Sequence, residues 1–226
     1  SNLPKIAYAA SLGVSSITRE QHMRFKDALQ DFHAVSVREL GAKQLLYGAY
    51  VNEIQVVLDP VFLHTHGFWD QTVITSNISE PYVFVYMIHP NDLARKKVFD
   101  FCRRNKLRMI SIPHTQGWYK KADDKYCDIP IYDIGPKEWV GYIKNANYVF
   151  TDSFHGTAFS ILYNKNFWSF EQNDFPEHPM ACQRIESILL QLGISNRKIQ
   201  ADTFPDDINL LSPIDYAGVD RKLNTL

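Results

Sequence analysis

The sequence is poor in the features that mark several large functional classes. Its 226 residues hold 3 cysteines, Cys102, Cys127 and Cys182, with no Cys-x-x-Cys pair. An odd, widely spaced set supports neither a disulfide framework nor a thiolate zinc site, and reads as reduced thiols in a cytoplasm. An excess of one charge is also missing. With 24 Lys+Arg against 25 Asp+Glu and a net charge of -1, no global field favours a nucleic-acid partner or a membrane coat. The longest apolar run, Tyr82–Ile88, is far below the ~20 residues of a membrane-spanning helix, and no charged-then-apolar leader opens the chain. Neither Gly-x-Gly-x-x-Gly nor a glycine-rich loop ending in Lys-Ser or Lys-Thr is present, so dinucleotide redox chemistry and nucleoside triphosphate hydrolysis lose support.

What is there belongs to a folded, water-soluble chain: 45% apolar and 22% charged residues, at a size that buries ~70% of the extended surface. Short β-branched or aromatic runs alternate with longer amphipathic stretches, the pattern of parallel sheets covered by helices, which makes this an α/β protein. Strands are expected at 5–10, 34–37 and 54–58, with a helix between the first two opened by a Thr18/Gln21 capping box. After the polar connection 75–79 the pattern restarts. Strands at 82–88, 107–112, 129–134, 148–150 and 167–170 alternate with helices near 92–105, 136–146, 154–163 and 181–192, the last one ended by Gly193. Residues 80–195 therefore read as a complete Rossmann-like domain. Residues 1–75 read as a partial, truncated α/β domain, and 196–226 as a C-terminal extension.

The most informative segment is Val149–Leu162, where a strand turns within a few polar residues into a helix. Ligands of open α/β sheets sit beyond such strand ends, and the first helical turn offers unpaired amides and a positive partial charge to an anion. Gly156 removes a side chain that would hold an anion away. His155 titrates near neutrality, and Asp152, Ser153 and Thr157 add acceptors and hydroxyls. The competing reading makes Asp152 or Ser153 a helix cap and His155 a structural histidine. At the end of the second strand, Arg38 has the planar fork that grips a carboxylate or phosphate, unless it merely pairs with Glu39 at the surface. Asp59, before Pro60, closes the third strand at a carboxyl edge, where a turn-forming role is the plainer explanation.

Two clusters are weighed separately. His64 and His66 alternate like half a chelate, but no third ligand follows at a matching spacing, so no metal is expected. Seven basic residues fall within the fourteen positions 95–108: Arg95, Lys96, Lys97, Arg103, Arg104, Lys106 and Arg108. A solvated helix face is the default reading. Peripheral attraction to an anionic lipid surface, or to a lipid-linked sugar diphosphate, is the second.

The segments 5–13, 35–39, 57–60, 136–146 and 149–162, taken in this order, make the chain similar to the polysaccharide pyruvyl transferases. The likeness covers most of residues 4–195, and Thr151-Asp-Ser-Phe-His-Gly-Thr157 is its most specific part. The resemblance implies a two-domain, glycosyltransferase-B-like architecture and transfer of a pyruvyl group from phosphoenolpyruvate to two hydroxyls of a sugar, forming a ketal on a cell-surface polysaccharide or its precursor. It implies phosphoenolpyruvate as donor substrate with no resident cofactor, a sugar or lipid-linked glycan as acceptor, and a cytoplasmic location at or near the inner membrane face. In those terms His155 is the proton-transfer or phosphate-contacting residue, Gly156, Thr157 and Ser153 shape the anion site, Arg38 clamps the donor, and Asp59 or Asp152 deprotonates a sugar hydroxyl. Two other functions stay open: a nucleotide-sugar-dependent glycosyltransferase or epimerase, disfavoured by the short spacing of Glu171 and Glu177, and a non-catalytic sugar-phosphate-binding or partner-binding domain. Oligomeric state is not legible.

Overall fold

The computed structural model describes residues 3–89, 91–113, 125–170, 181–204 and 213–225. Glu171, Glu177, the Cys182 side chain and part of the 196–226 extension lie outside the described residues. The chain forms two parallel sheets in sequence order. The first contains β1 (Lys5–Ala10), β2 (Phe32–Val37) and β3 (Gln55–Val56), ordered β1-β2-β3. Helix α1 (Arg19–Leu29) links β1 to β2, and its start carries the reciprocal Thr18–Gln21 hydrogen bonds that the sequence signals. Helix α2 (Leu40–Leu45) follows β2. Leu29, Val35, Val37, Leu46 and Ile54 form a single apolar cluster on this sheet.

The second sheet has six parallel strands ordered β6-β5-β4-β7-β8-β9. These are β4 (Tyr82–Tyr86), β5 (Arg108–Ile112), β6 (Ile129–Pro130), β7 (Tyr148–Thr151), β8 (Asn166–Phe170) and β9 (Lys198–Ile199). The chain starts in the centre, moves outward to β6, then returns to β7 beside β4, so the strand order reverses there and a crevice opens at the carboxyl ends. Alternate side chains of β4 feed opposite faces. Tyr82 and Phe84 enter one apolar cluster, and Val83 and Val85 enter another. Helices α3 (His66–Trp69), α4 (Asp92–Arg104), α5 (Pro136–Asn145), α6 (Phe154–Leu162), α7 (Ala181–Leu192) and α8 (Tyr216–Leu223) complete the layers. Pro136 opens α5 in its first turn, where a missing N–H costs nothing.

The structure departs from the sequence reading in three places. The strands expected at 54–58 and 129–134 shrink to two residues each, because Asp59-Pro60 turns the first and Pro130 supplies no ladder donor in the second. The segment expected to finish the first domain packs instead on the second sheet. Val61, Phe62, Trp69 and Val73 join the cluster of Tyr82 and Phe84, and Ile74 N donates to the Lys137 carbonyl at 3.3 Å. Gly141 on α5 is shaped by this docking, since a Cβ there would collide with the Ile74 carbonyl oxygen.

The basic run is the third correction. Arg95 is fully buried, donating to Ser111 Oγ at 3.1 Å and to the Met87 carbonyl at 3.3 Å. Lys96, Arg103 and Arg108 pair with Asp100, Asp128 and Glu80. The seven charges therefore do not form one unpaired cationic face, since one is buried and three are paired with carboxylates. Among the described residues no helix is long and apolar enough to cross a membrane.

Candidate functional site

The ends of β2, β3 and β7 meet at the seam between the two sheets. Arg38 directly follows β2, and its backbone N–H donates to the Ala10 carbonyl at 3.1 Å, continuing the β1–β2 ladder. Asp59 follows β3, and one carboxylate oxygen accepts from Val61 N at 3.0 Å, starting the turn at Pro60–Leu63. The other oxygen pairs with the Arg38 guanidinium. Both side chains are largely enclosed, at 12% and 3% exposure, so this is an ordered ion pair and not a solvated one. The Arg38 guanidinium lies 4.4 Å above the Phe154 ring. A cation from the first unit thus stacks on the first residue of α6 in the second, beside His155.

His155 is exposed at the mouth of an open crevice of about 540 Å³ whose lining includes Ala9, Arg38, Asp59, His64 and Trp69. Partial desolvation lowers its pKa from the ordinary 6.5. Asp59 opposes that shift, and the positive charges of Arg38 and Arg184 add to it. These surroundings favour neutral imidazole at neutral pH, and a bound anion would move it back toward the protonated form.

The backbone is also strained here. Ala9 has φ +52° within an irregular stretch of the β1–β2 register. A non-glycine residue in the left-handed region costs about 1–2 kcal/mol and is held there by its surroundings. Ala9 N donates to Ser36 Oγ at 3.0 Å, which fixes the bend. Such irregularities gather next to functional sites because they re-aim the chain.

Other residues singled out in the sequence have different surroundings. Asp152 is buried, and its carboxylate accepts from Ile88 N at 2.6 Å and His89 N at 3.0 Å. It ties the end of β7 to the end of β4 instead of facing a sugar hydroxyl in the crevice. Ser153 caps α6, accepting from Gly156 N at 3.3 Å. The missing Gly156 side chain makes room for Thr151, whose hydroxyl a Cβ would strike; the space does not open toward an anion. Thr157 is fully buried, with its hydroxyl 2.7 Å from that of Ser169 and 3.0 Å from the Ser153 carbonyl. The strand-to-helix turn therefore anchors His155 more than it offers a row of bare amides. His64 stacks on Phe68 at 3.8 Å, and His66 Nδ1 lies 4.0 Å from Asp70.

Three contributors were not read from sequence as parts of a site. Glu39 is buried, with Oε1 accepting from Ser11 Oγ at 2.8 Å and Leu12 N at 3.0 Å, and Oε2 lying 3.8 Å from Arg38 Nε. It orders the loop after β1 behind Arg38. Arg184, on α7, feels the same charges: burial and the positive charge of Arg38 lower its pKa, and Glu39 opposes them. Ala9 supplies the strained rim. Only Glu39 had a local signal, its adjacency to Arg38 at a strand end. The others join the site through long-range packing.

Among solved structures, the chain is similar to UDP-GlcNAc 2-epimerase from Methanocaldococcus jannaschii, solved in complex with UDP-GlcNAc and UDP, at 16% identity and a TM-score of 0.49, covering 85% of this chain and 55% of that one. It is also similar to Arabidopsis thaliana UGT89C1 at 9% identity and a TM-score of 0.50, covering 98% of this chain and 60% of that one. The chain thus spans 55% and 60% of the length of these two structures. The second likeness places the fold in the glycosyltransferase-B-like class, and at such identity it speaks to fold alone. No curated protein matches the sequence. The model of one family, described as polysaccharide pyruvyl transferase, matches residues 1–174. With that match running from the strained strand β1 through Arg38, Asp59 and His155 to the end of β8, the chain belongs to the polysaccharide pyruvyl transferase family.

Proposed function

We propose that the seam crevice receives phosphoenolpyruvate and that the protein transfers its pyruvyl group to a sugar diol, forming a ketal and releasing inorganic phosphate. One observation carries this reading. Arg38, Asp59 and His155, far apart in sequence, converge on a single crevice at strand ends of both sheets. The donor is an anion that needs a guanidinium and a proton source, and the crevice provides both.

In the proposed reaction, protonation of the donor methylene carbon turns CH2 into CH3 and leaves a cationic carbon stabilised by oxygen. A sugar hydroxyl adds there, the C–O bond to phosphate breaks, and a second hydroxyl closes the ketal. The two hydroxyls lose two protons: one balances the proton taken up by carbon, and the other leaves with phosphate. His155 is the proton donor, and Arg38 holds the phosphate or carboxylate. Asp59 acts as a positioning residue, because its oxygens are already committed to Arg38 and Val61 N.

The test compares ligands and follows product. Phosphoenolpyruvate is expected to raise the melting temperature of the wild type, and incubation with an acceptor glycan to release phosphate together with a new ketal methyl resonance. Arg38→Gln is expected to lose the stabilisation, and His155→Gln to lose turnover while keeping the fold. Since burial lowers the pKa of His155 in the free protein, kcat/KM for the donor should fall as pH rises and the imidazole loses its proton, with this limb lying below the range of an ordinary histidine. Stabilisation by a nucleotide-sugar and not by phosphoenolpyruvate would replace this reading with the nucleotide-sugar one.

A further inference from the structure

The segment that joins the two sheets carries a histidine shared by two cavities. Leu63 and His64 line the seam crevice that holds Arg38 and His155, and they also line a second crevice, of about 480 Å³, on the second unit. The two openings therefore share an edge at His64. That edge is firmly built. The His64 ring stacks on Phe68 at 3.8 Å and 18°, and Phe68 meets Trp69 edge-on at 6.0 Å. Trp69 Nε1 donates to the Val61 carbonyl at 3.1 Å, and its ring meets Phe159 of α6 at 5.1 Å.

The second crevice has the chemistry of a site for an uncharged polyol. Phe62, Ile161 and Leu223 give it an apolar floor, and the exposed residues Thr65, Asn164, Asp220 and Asn224 stand around it. Asp220 and Asn224 are one turn apart at the end of α8. Asn164 ends α6 in a left-handed turn, φ +52°, which asparagine tolerates better than most residues. Among the described residues these four side chains make no hydrogen bond or ion pair with the protein. No arginine or lysine lines the crevice among the described residues, so a phosphate finds nothing to grip and meets the Asp220 carboxylate instead. Sugar hydroxyls suit it: a carboxylate and two amides accept from and donate to them, and the apolar floor and the ring stack offer flat surface to the C–H face of a pyranose. Length fits as well, since α6 rises about 10 Å between His155 in one crevice and Leu162 in the other, the span of two linked sugar rings.

We propose that the second crevice holds the acceptor chain. The sugar whose diol receives the pyruvyl group sits at His155, and its uncharged neighbours run over His64 into the groove between α6 and α8, where Thr65, Asn164, Asp220 and Asn224 bind their hydroxyls. This rests on the ketal-transfer reading above and makes the acceptor an oligosaccharide instead of a free monosaccharide. His64, whose alternation with His66 looks like half a chelate in the sequence, becomes an aromatic ledge.

The experiment titrates the full chain, without phosphoenolpyruvate, with the β-linked di- and trisaccharides of glucose, galactose, mannose and N-acetylglucosamine as methyl glycosides. NMR follows the side-chain amide and imidazole resonances. At least one of these glycans should move the Asn164 and Asn224 amides together with the His155 ring. Asn164→Gly, which keeps the left-handed turn and removes the amide, and Asp220→Ala should each weaken that glycan about 3- to 10-fold, as the loss of a hydrogen bond predicts. His64→Ala should weaken it similarly through the lost ledge. All three positions are exposed, so the melting temperature should stay near that of the wild type. Affinity kept within twofold by all three variants, shifts confined to His155, or a wild type that binds none of these glycans overturns this inference. So does UDP-GlcNAc moving the Asn164 and Asn224 amides where the neutral glycans do not. Phosphoenolpyruvate binding is read separately by the melting shift, and its failure with the glycan shifts intact overturns the donor reading alone.

Discussion

The two sheets differ in how they are covered, and the difference explains where the site lies. The six-stranded sheet has apolar clusters on both faces, built from alternate residues of the same strands. The three-stranded sheet has one cluster on one face, and the opposite side of β1 leaves Ile6 and Tyr8 at 61% and 46% exposure. Strain and paired charge gather at the edge of the thinner unit, at Ala9, Arg38 and Asp59, where it abuts the thicker one. A rigid sheet fixes His155 through Ser153, Thr151 and Asp152. The lightly packed sheet brings the guanidinium to it. The geometry of the proposed site is thereby divided between a thickly packed half and a lightly packed one, the arrangement from which domain closure around a ligand is built.

The sharpest way to test the rigidity of the thicker unit is Phe150→Ala. Phe150 is fully buried, and its ring meets those of Phe101, Trp168 and Phe204 at centroid distances of 5.6, 5.2 and 5.4 Å. Truncation leaves a cavity whose neighbours cannot all close in, and the expected loss is about 4 kcal/mol in urea unfolding. A loss below about 1 kcal/mol would mean that the two units do not differ as described.

At the seam, Asp59→Asn should cost somewhat less, about 3 kcal/mol, because it leaves the enclosed Arg38 guanidinium with only the more distant Glu39. The same change has a second readout. Asp59 is the group that raises the His155 pKa, so its neutralisation should lower that pKa further, as followed by NMR titration. Any change in stability with pH has a fixed sign: a histidine whose folded pKa is depressed binds fewer protons than the unfolded chain just below the ordinary value. Wild-type stability should therefore fall as pH drops from 6.5 toward the folded pKa, and His155→Gln should remove that part of the slope.

Much of the architecture was legible because it is written locally. Thr18 and Gln21 announce α1, Pro136 opens α5, and the alternation of strand and helix segments specifies parallel sheets. The Arg38, Asp59 and His155 positions were also readable as polar groups at strand ends. Other features were hidden by distance in sequence. Nothing around Arg95 says that its side chain crosses under β5 to Ser111, so a buried arginine passed for one of seven surface charges. Val61, Trp69 and Val73 have apolar spacing that suits either unit, and only the matching surface of α5 decides which one they join. Arg184 lies 146 residues from Arg38, and no local pattern marks an arginine whose charge acts on a group that distant in sequence. Gly156 was legible as an important glycine but misread in direction, because sequence shows that a side chain is missing and not which neighbour occupies the space.

That last point can be measured. Gly156→Ala places a Cβ against the Thr151 side chain, which is itself fixed by its hydroxyl donating to the Tyr86 carbonyl at 2.6 Å. Overpacking of this kind costs about 1–3 kcal/mol. The expected result is a lower melting temperature with donor affinity kept in the folded fraction. Selective loss of phosphate binding at unchanged stability would restore a direct role for this glycine at the anion.

The smallest effect belongs to the bare face of β1. Ile6 projects away from the cluster of Val35 and Val37, on a strand that is the edge of its sheet. Threonine keeps the β-branched shape that suits a strand while removing apolar surface that folding does not bury. Ile6→Thr should change unfolding free energy by no more than about 0.5 kcal/mol, the range for substitutions away from packed features. It contrasts with Phe150→Ala, where an apolar strand residue of the other sheet has neighbours on every side. A loss above about 1 kcal/mol would show that this face is covered in solution, and the contrast between a one-sided and a two-sided sheet would then describe the isolated chain and not its working state.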